Sequence, residues 1–146
     1  MKRLLASYNS WALTGARLAL AVVMFAHGAQ KMLGWFGGNG FTGTMGFFTS
    51  KGIPAPFAFL AIVAEFFGSM GLIVGLLGRV AAFGIFCNMV VAILTVHMSN
   101  GFFMNWFGKQ AGEGFEYHIL AIGLAVAVMI GGSGAASIDR ALTDEV

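Results

Sequence analysis

The sequence predicts an all-α integral membrane protein, a four-helix bundle with a short interfacial helix between its first two spans. Of its 146 residues, 58% are hydrophobic and only 10% are charged, and the mean hydropathy is +0.85. Soluble domains carry about 25% charged residues, and a small soluble fold could not bury so much apolar surface. The apolar residues also fall in long runs that short polar or glycine-rich segments separate. We therefore expect one membrane domain over residues 1–146, with the lipid bilayer as its main partner.

The first predicted span covers residues 13–36 and ends at an aromatic pair, Trp35 and Phe36. About 20 residues cross a bilayer, so this run is long enough with some tilt. It also exceeds the roughly 7–15 apolar residues of a cleaved signal peptide, and we expect it to be retained. A glycine-rich stretch, residues 37–40, then ends the helix.

A segment too short to cross the membrane follows, from residue 41 to residue 52. Phe41, Met45 and Phe48 are spaced i, i+4, i+7 and form one apolar stripe along a helix. This pattern is typical of a helix that lies in the membrane interface. Two prolines follow this segment. They are compatible with the start of the next span, because proline is tolerated in a first helical turn.

The remaining spans are predicted at residues 57–77, 80–98 and 116–130. A tight turn separates the second span from the third, and a polar and aromatic loop over residues 99–115 precedes the fourth. The second span contains a GxxxG motif, whose small residues allow helices to approach closely within a bundle or between subunits. A homo-oligomer is therefore one possible assembly.

Basic residues near the helix ends predict the orientation. They are scattered along the chain and form no patch, so nucleic-acid binding is set aside. With four spans, both termini lie on one side of the membrane, and the side with more Lys and Arg is cytoplasmic. We therefore expect both termini in the cytoplasm and the protein in the inner membrane. The side with the termini carries Lys2, Arg3, Arg79 and Arg140, and the other carries Lys51 and Lys109, with Lys31 near its edge.

Ionisable residues inside the spans are the candidates for function. A charged side chain at mid-bilayer costs about 2.5–3.5 kcal/mol on insertion scales, so such residues usually face the bundle interior. On the first span, His27 and Lys31 lie about 40° apart and Arg17 falls within about 80° of both. From the helical rise, Lys31, His27 and Glu65 lie about 6, 12 and 14 Å below the membrane boundary opposite the termini. His97 and His118 are expected near that boundary.

Three hypotheses fit this cluster. The first is a buried ion pair with hydrogen-bonding histidines, which fixes helix register. The second is a quinone or small-ligand pocket, with His27, Lys31 and Glu65 as reactive groups. The third is a metal or haem site, which ranks lower because no HxxxH or ExxH pair lies within one helix. The cofactor-binding set predicted for the quinone pocket comprises Arg17, His27, Lys31, Glu65, His97, His118 and Trp106; no metal ligand is assigned.

Trp106 belongs to the aromatic loop. Interfacial aromatic belts explain such residues without a function. The functional alternative is that the loop forms a lid over the pocket, assisted by the interfacial helix.

Short motifs along most of the chain carry a family resemblance. They are residues 16–18, 25–32, 52–56, 64–68, 75–79 and 131–139. With its motifs in this order and spacing, the chain resembles the DoxX family of small bacterial and archaeal membrane proteins. The resemblance implies a four-helix membrane fold, and the family's recurring polar positions coincide with Arg17, His27, Lys31 and Glu65.

Some relatives are linked to thiosulfate:quinone oxidoreductase, and others to membrane redox or thiol-stress complexes. The chain has only Cys87, so it departs from any relative with a paired-thiol relay. The leading hypothesis is therefore a quinone-interacting subunit of an oxidoreductase, which works with a redox partner protein. The alternatives are a non-enzymatic anchor or assembly subunit and a transporter for a small ion or proton.

Overall fold

The structure is a computed structural model that describes residues 2–144. All regular secondary structure in this range is helical, which confirms the predicted all-α class. The α-helices are α1 (Lys2–Leu5), α2 (Trp11–Leu33), α3 (Gly40–Ser50), α4 (Ala55–Val74), α5 (Gly78–Ala92), α6 (Glu116–Gly131) and α7 (Ile138–Asp144).

Three helical segments among residues 2–144 are long and apolar enough to cross a membrane. They are α2 with 23 residues, α4 with 20, and Gly78–Asn100 with 23. The third segment continues from α5 through a π-helical turn, Ile93–His97, and a final 3₁₀ turn. α6 is also apolar but shorter, with 16 residues.

The four long helices form a closed ring. α2 packs against α4, α4 against α5, α5 against α6, and α6 against α2. Large apolar side chains that point outward remain exposed, as expected of surfaces that face lipid. The buried core between the helices includes Leu20, Met24, Leu72, Ile85 and Val128.

Two glycines determine where α2 and α4 end. Gly34 adopts a left-handed conformation with φ of 75°, so α2 stops before the aromatic pair that the prediction placed inside it. Gly75, with φ of 71°, ends α4 in the same way. Gly75, the second glycine of the GxxxG motif, therefore terminates α4, and an added Cβ there would lie 2.5 Å from the Cβ of Ser137. Close packing of α4 on α5 comes from Gly84, where an added Cβ would lie 3.1 Å from the Cβ of Ala64.

The bundle has two distinct ends. The chain-terminus end contains α1, α7 and the turn between α4 and α5, and α1 packs against α7 there. The opposite end, called the loop end, contains residues 34–39 and the long connection over residues 101–115. α3 packs near this end against α2 and α4.

Candidate functional site

The centre of the site is an ion pair between α2 and α4. The two helices approach closely at Gly28, where an added Cβ would lie 2.7 Å from the Cα of Phe66. Lys31 follows one helical turn later on α2, and its Nζ lies 2.5 Å from Oε2 of Glu65. The Glu65 side chain is 4% exposed and that of Lys31 is 24% exposed, so the carboxylate is the more deeply buried partner.

A third helix completes the environment of Glu65. Asn88 on α5 donates from Nδ2 to Oε1 of Glu65 at 2.6 Å and to the carbonyl oxygen of Ala61 at 3.3 Å. Both carboxylate oxygens therefore have a partner. Asn88 was not among the predicted site residues, because only ionisable groups were candidates. An amide in the middle of an otherwise apolar span was the available signal.

Four aromatic rings lead from this centre toward the loop end. The ring centroids of His27 and Tyr117 are 5.8 Å apart, and those of Tyr117 and His118 are 5.2 Å apart. His118 and His97 follow with 4.1 Å between their centroids. His97 is anchored at the loop end because its Nδ1 lies 2.8 Å from the carbonyl oxygen of Glu113. Tyr117 is a second residue that the sequence analysis missed.

Two polar atoms in this row are buried without a partner. Within the described residues, neither the Tyr117 hydroxyl nor Nδ1 of His118 makes a hydrogen bond. A buried polar group that lacks a partner costs about 1–3 kcal/mol, so such groups are rare in proteins. The row therefore offers two unused hydrogen-bonding positions.

Both orphaned atoms belong to residues that line a groove of about 1260 Å³. We call it the lateral groove, because it runs between α4 and α5 and opens on the bundle surface. Its apolar walls include Phe67 and Phe83, which are about half exposed, and it reaches Leu77 near the chain-terminus end. Most of the polar lining lies at the other end of the groove and includes His27, Lys31, Glu65, Asn88, Tyr117 and His118, with His97 and Glu113.

Five predicted site residues thus share the lateral groove: His27, Lys31, Glu65, His97 and His118. Arg17 does not join them. Although Arg17 and Lys31 lie on one stripe of α2, the 14 residues between them correspond to about 21 Å along the helix axis. The helical angle places both on one face but does not bring them to the same depth.

Arg17 instead donates hydrogen bonds to backbone carbonyls at the chain-terminus end of the bundle. It is 1% exposed, and its Nη1 donates to the carbonyl oxygen of Leu72 at 2.5 Å. Its Nη2 donates to the carbonyl oxygen of Ala136 at 2.6 Å. Nη1 also donates to the carbonyl oxygen of Ile73 at 3.2 Å, so Arg17 provides donors to the last turn of α4, where helix carbonyls run out of backbone partners. The structure gives Arg17 a structural position away from the candidate site.

Asp139 accepts hydrogen bonds at the same end of the bundle. Its Oδ1 accepts a hydrogen bond from the backbone N–H of Leu77 at 2.7 Å, and its Oδ2 accepts one from that of Gly78 at 2.9 Å. The Ser133 hydroxyl donates to the same Oδ2 at 2.6 Å. A carboxylate at the start of α5 satisfies free N–H groups there and compensates the helix dipole.

Trp106 also lies away from the groove. Its side chain is 79% exposed, and its Nε1 donates to Oε1 of Glu116 at 3.3 Å. Two other residues of the same connection, Met104 and Glu113, do line the lateral groove. The connection therefore contacts the mouth of the groove, but not through the residue that the sequence analysis selected.

The side chains of the site do not form the ligand set of a metal ion. Within residues 2–144, no group of three or more His, Cys, Asp or Glu side chains is arranged to hold a metal. Glu65 already bonds Lys31 and Asn88. Tyr117 lies between His27 and the other two histidines, so the imidazoles do not converge on one point.

These observations define a helical membrane protein with a polar cluster at one end of an apolar groove. Comparison with protein families then gives a more specific assignment. The DoxX family matches residues 12–98, which is more than half of the chain and includes Lys31, Glu65 and Asn88. The chain belongs to the DoxX family, whose members are membrane-associated and often linked to redox proteins. Comparisons with curated proteins and with solved structures give no significant match.

Proposed function

We propose that this protein is a membrane redox subunit that binds a lipid-soluble quinone in the lateral groove. The observation that carries the proposal is the combination of one polar end with a long apolar groove open to the bundle surface. A quinone has a ring with carbonyl oxygens and a long apolar tail, so it matches both parts. Ligand sites are typically apolar with a few placed polar groups, as this groove is.

The orphaned donors support the fit. A quinone carbonyl accepts hydrogen bonds, and the Tyr117 hydroxyl is a buried donor without a partner. Nδ1 of His118 is a second such position when it carries the proton. The Lys31 ammonium has three hydrogens, so two remain beyond the bond to Glu65.

The roles of the chain's own residues follow from their places. A bound quinone would accept two electrons and two protons. Lys31 would stabilise negative charge that develops on a ring oxygen. Glu65 and His27 lie beside Lys31 and are positioned to hold and transfer protons. Cys87 is the only cysteine, so the chain has no dithiol couple of its own, and we assign electron delivery to a redox partner protein.

The ion-transport alternative has less support. Buried polar clusters lie at both ends of the bundle, around Arg17 and around Glu65. Between them, the core is filled by apolar side chains such as Leu20 and Met24, which are 2% and 1% exposed. A dry apolar layer favours a binding site at one end over a continuous ion path.

The proposal includes a membrane arrangement with four spans, of which α6 is the fourth. α6 is short, but residues 132–134, just after it, are buried within the protein. Non-helical backbone is tolerated at membrane depth where protein covers it. With four spans both termini are cytoplasmic, the loop end faces outward from the inner membrane, and α3 lies at that interface.

Titration with decylubiquinone tests the proposal. Protein purified in mild detergent is expected to bind it saturably, and Lys31→Met is expected to weaken binding about tenfold because a charge-assisted bond is lost. Lys51→Met is the matched control, since Lys51 lies at the end of α3 outside the groove. Absence of binding in wild-type protein, together with absence of co-purified quinone, would refute the quinone assignment.

The same variants distinguish a quinone-binding subunit from an anchor or assembly subunit. An assembly subunit that binds no quinone would lose its partner protein with Lys31→Met and show no decylubiquinone binding in any variant. A quinone-binding subunit would instead retain its partner and lose affinity for decylubiquinone. Co-purification of the partner therefore reports one role, and quinone titration reports the other.

A further inference from the structure

A second, smaller cavity lies on the other side of Lys31. It has a volume of about 290 Å³ and lies at the loop end, between the end of α2 and the start of α3. We call it the loop-end pocket. Its lining includes Gln30, Lys31, Gly38, Asn39, Thr44 and Phe47. Lys31 lines both cavities, whereas Gln30, Asn39 and Thr44 line only this one.

Thr44 is the least expected residue in this pocket. It is 5% exposed, yet its hydroxyl makes no hydrogen bond with any residue that the structure describes. Thr49 on the same helix shows the usual alternative, because its hydroxyl donates to the carbonyl oxygen of Met45 at 2.9 Å. A buried threonine that does not satisfy itself in this way leaves its hydroxyl available to a ligand in the pocket.

The start of α3 lies beside the pocket, which Asn39 lines, although residues 40–43 do not line it. The first four N–H groups of an α-helix have no partner within the helix. Asn39 precedes α3 and makes no capping hydrogen bond with its side chain, so it does not satisfy them. Free N–H groups and the helix dipole favour negative charge at this position.

The charged residues that line the pocket also favour an anion. Lys31 is its only charged lining residue, and no Asp or Glu among the described residues lines it. Glu65 lies on the other side of the Lys31 ammonium, where Asn88 and Lys31 occupy its two oxygens. The pocket therefore combines an ammonium and an unpaired hydroxyl with the side-chain amides of Gln30 and Asn39, all of which can donate hydrogen bonds.

We propose that the loop-end pocket binds an oxyanion group of the phosphate or sulfate type. The group would accept hydrogen bonds from Lys31, Thr44 and the side-chain amide of Asn39. A free anion and the phosphate of a lipid headgroup share this chemistry, and the experiment separates the two sources. The proposal does not depend on quinone binding, because Thr44 and Asn39 lie outside the lateral groove.

The test uses delipidated protein in detergent, with binding measured by calorimetry. The soluble probes are sodium sulfate and sodium phosphate, with chloride at equal ionic strength as the reference. The lipid probe is phosphatidylglycerol in mixed micelles, with diacylglycerol, which lacks the phosphate, as its comparison. Saturable binding of either soluble anion indicates a free-anion site, and binding of phosphatidylglycerol alone indicates a headgroup site.

Variants assign the binding to the pocket. Thr44→Val is expected to weaken it about tenfold, because a hydrogen bond to a charged ligand is lost, and Thr44→Ser is expected to retain it. Thr42→Val is the matched control, since Thr42 is exposed on the same helix and lines neither cavity. Decylubiquinone binding is expected to be unchanged in Thr44→Val, which keeps this test separate from that of the proposed function.

Asn39→Asp provides an independent check that does not depend on a core substitution. Asp is a good residue at the start of a helix, so the variant is expected to unfold at the same or a higher temperature. The added carboxylate repels an anion, so affinity for the probe is expected to fall at least tenfold. No binding of any probe, or equal losses in Thr42→Val and Thr44→Val, would overturn the proposal.

Discussion

Asn88 donates a hydrogen bond to Oε1 of Glu65 at 2.6 Å, on the carboxylate oxygen that Lys31 does not contact. Because Lys31, Glu65 and Asn88 lie on α2, α4 and α5, one carboxylate joins three helices. The joint is close to the polar end of the lateral groove. The residues proposed to bind the ligand therefore also fix the relative positions of the helices that form the groove.

The first prediction concerns Asn88. Asn88→Leu is expected to reduce the free energy of unfolding by about 1.5–3 kcal/mol, because a hydrogen bond to a buried charged group is lost. Thermal or denaturant unfolding in detergent measures the change. Thr95→Val is the control, since its exposed hydroxyl donates to Val91 on its own helical segment. Equal stability of Asn88→Leu and wild type would show that the bond makes no net contribution.

The second prediction concerns the contact between α2 and α4. Gly28→Ala would place a Cβ 2.7 Å from the Cα of Phe66, so the helices must separate and the Lys31–Glu65 pair must lengthen. We expect a loss of about 1–3 kcal/mol in stability, as for other overpacked sites, and weaker decylubiquinone binding.

Gly15→Ala is the matched control for this change. Gly15 lies on the same helix, and an added Cβ there would meet nothing within 4 Å. Replacing glycine by alanine inside a helix should therefore stabilise the protein by about 0.5–1 kcal/mol. Similar effects of the two substitutions would mean that the helices do not approach closely at Gly28.

Composition and helical periodicity were sufficient to predict the all-helical class and the convergence of His27, Lys31 and Glu65. Charged residues in an apolar span must face inward, and depth from a helix end follows from a constant rise. The partner of each buried group could not be predicted in the same way. The contacts of Asn88 and Tyr117 could be assigned only when the spatial order of the helices was known, because their partners are on other helices.

The contacts of Arg17 did not follow from its angular position on the helix. Its angular position agreed with that of Lys31, but its carbonyl partners are provided by the end of α4 and by residue 136. The first carbonyls lie at the end of α4, which Gly75 terminates in a left-handed conformation, and the other lies in the segment just before α7. A pattern of side chains along the sequence does not reveal which backbone carbonyls a guanidinium will satisfy.

The third prediction follows from this position of Arg17. Arg17→Lys is expected to destabilise the protein by about 1–3 kcal/mol, because one ammonium cannot reach the carbonyls that the two guanidinium nitrogens contact. Decylubiquinone affinity of the folded fraction is expected to stay within about twofold, a shift too small to reflect loss of a hydrogen bond. Arg3→Lys serves as the control because Arg3 is exposed. A tenfold loss of quinone affinity in Arg17→Lys would return Arg17 to the site.

The fourth prediction sets stability against binding at Tyr117. The hydroxyl of Tyr117 is buried without a partner among the described residues, and such a group costs about 1–3 kcal/mol. Tyr117→Phe removes the hydroxyl and keeps the ring contacts with His27 and His118. The variant is therefore expected to be more stable than wild type by about 1 kcal/mol in the absence of ligand.

Its affinity for decylubiquinone should change in the opposite direction. If the hydroxyl donates to a ring oxygen of the ligand, Tyr117→Phe loses one neutral hydrogen bond and binds about threefold to tenfold more weakly. The other tyrosine, Tyr8, is 67% exposed, so Tyr8→Phe should alter neither quantity. Higher stability together with weaker binding would show that the hydroxyl serves ligand binding at a cost in stability. A Tyr117→Phe variant that binds quinone as tightly as wild type would exclude this hydroxyl from the binding site.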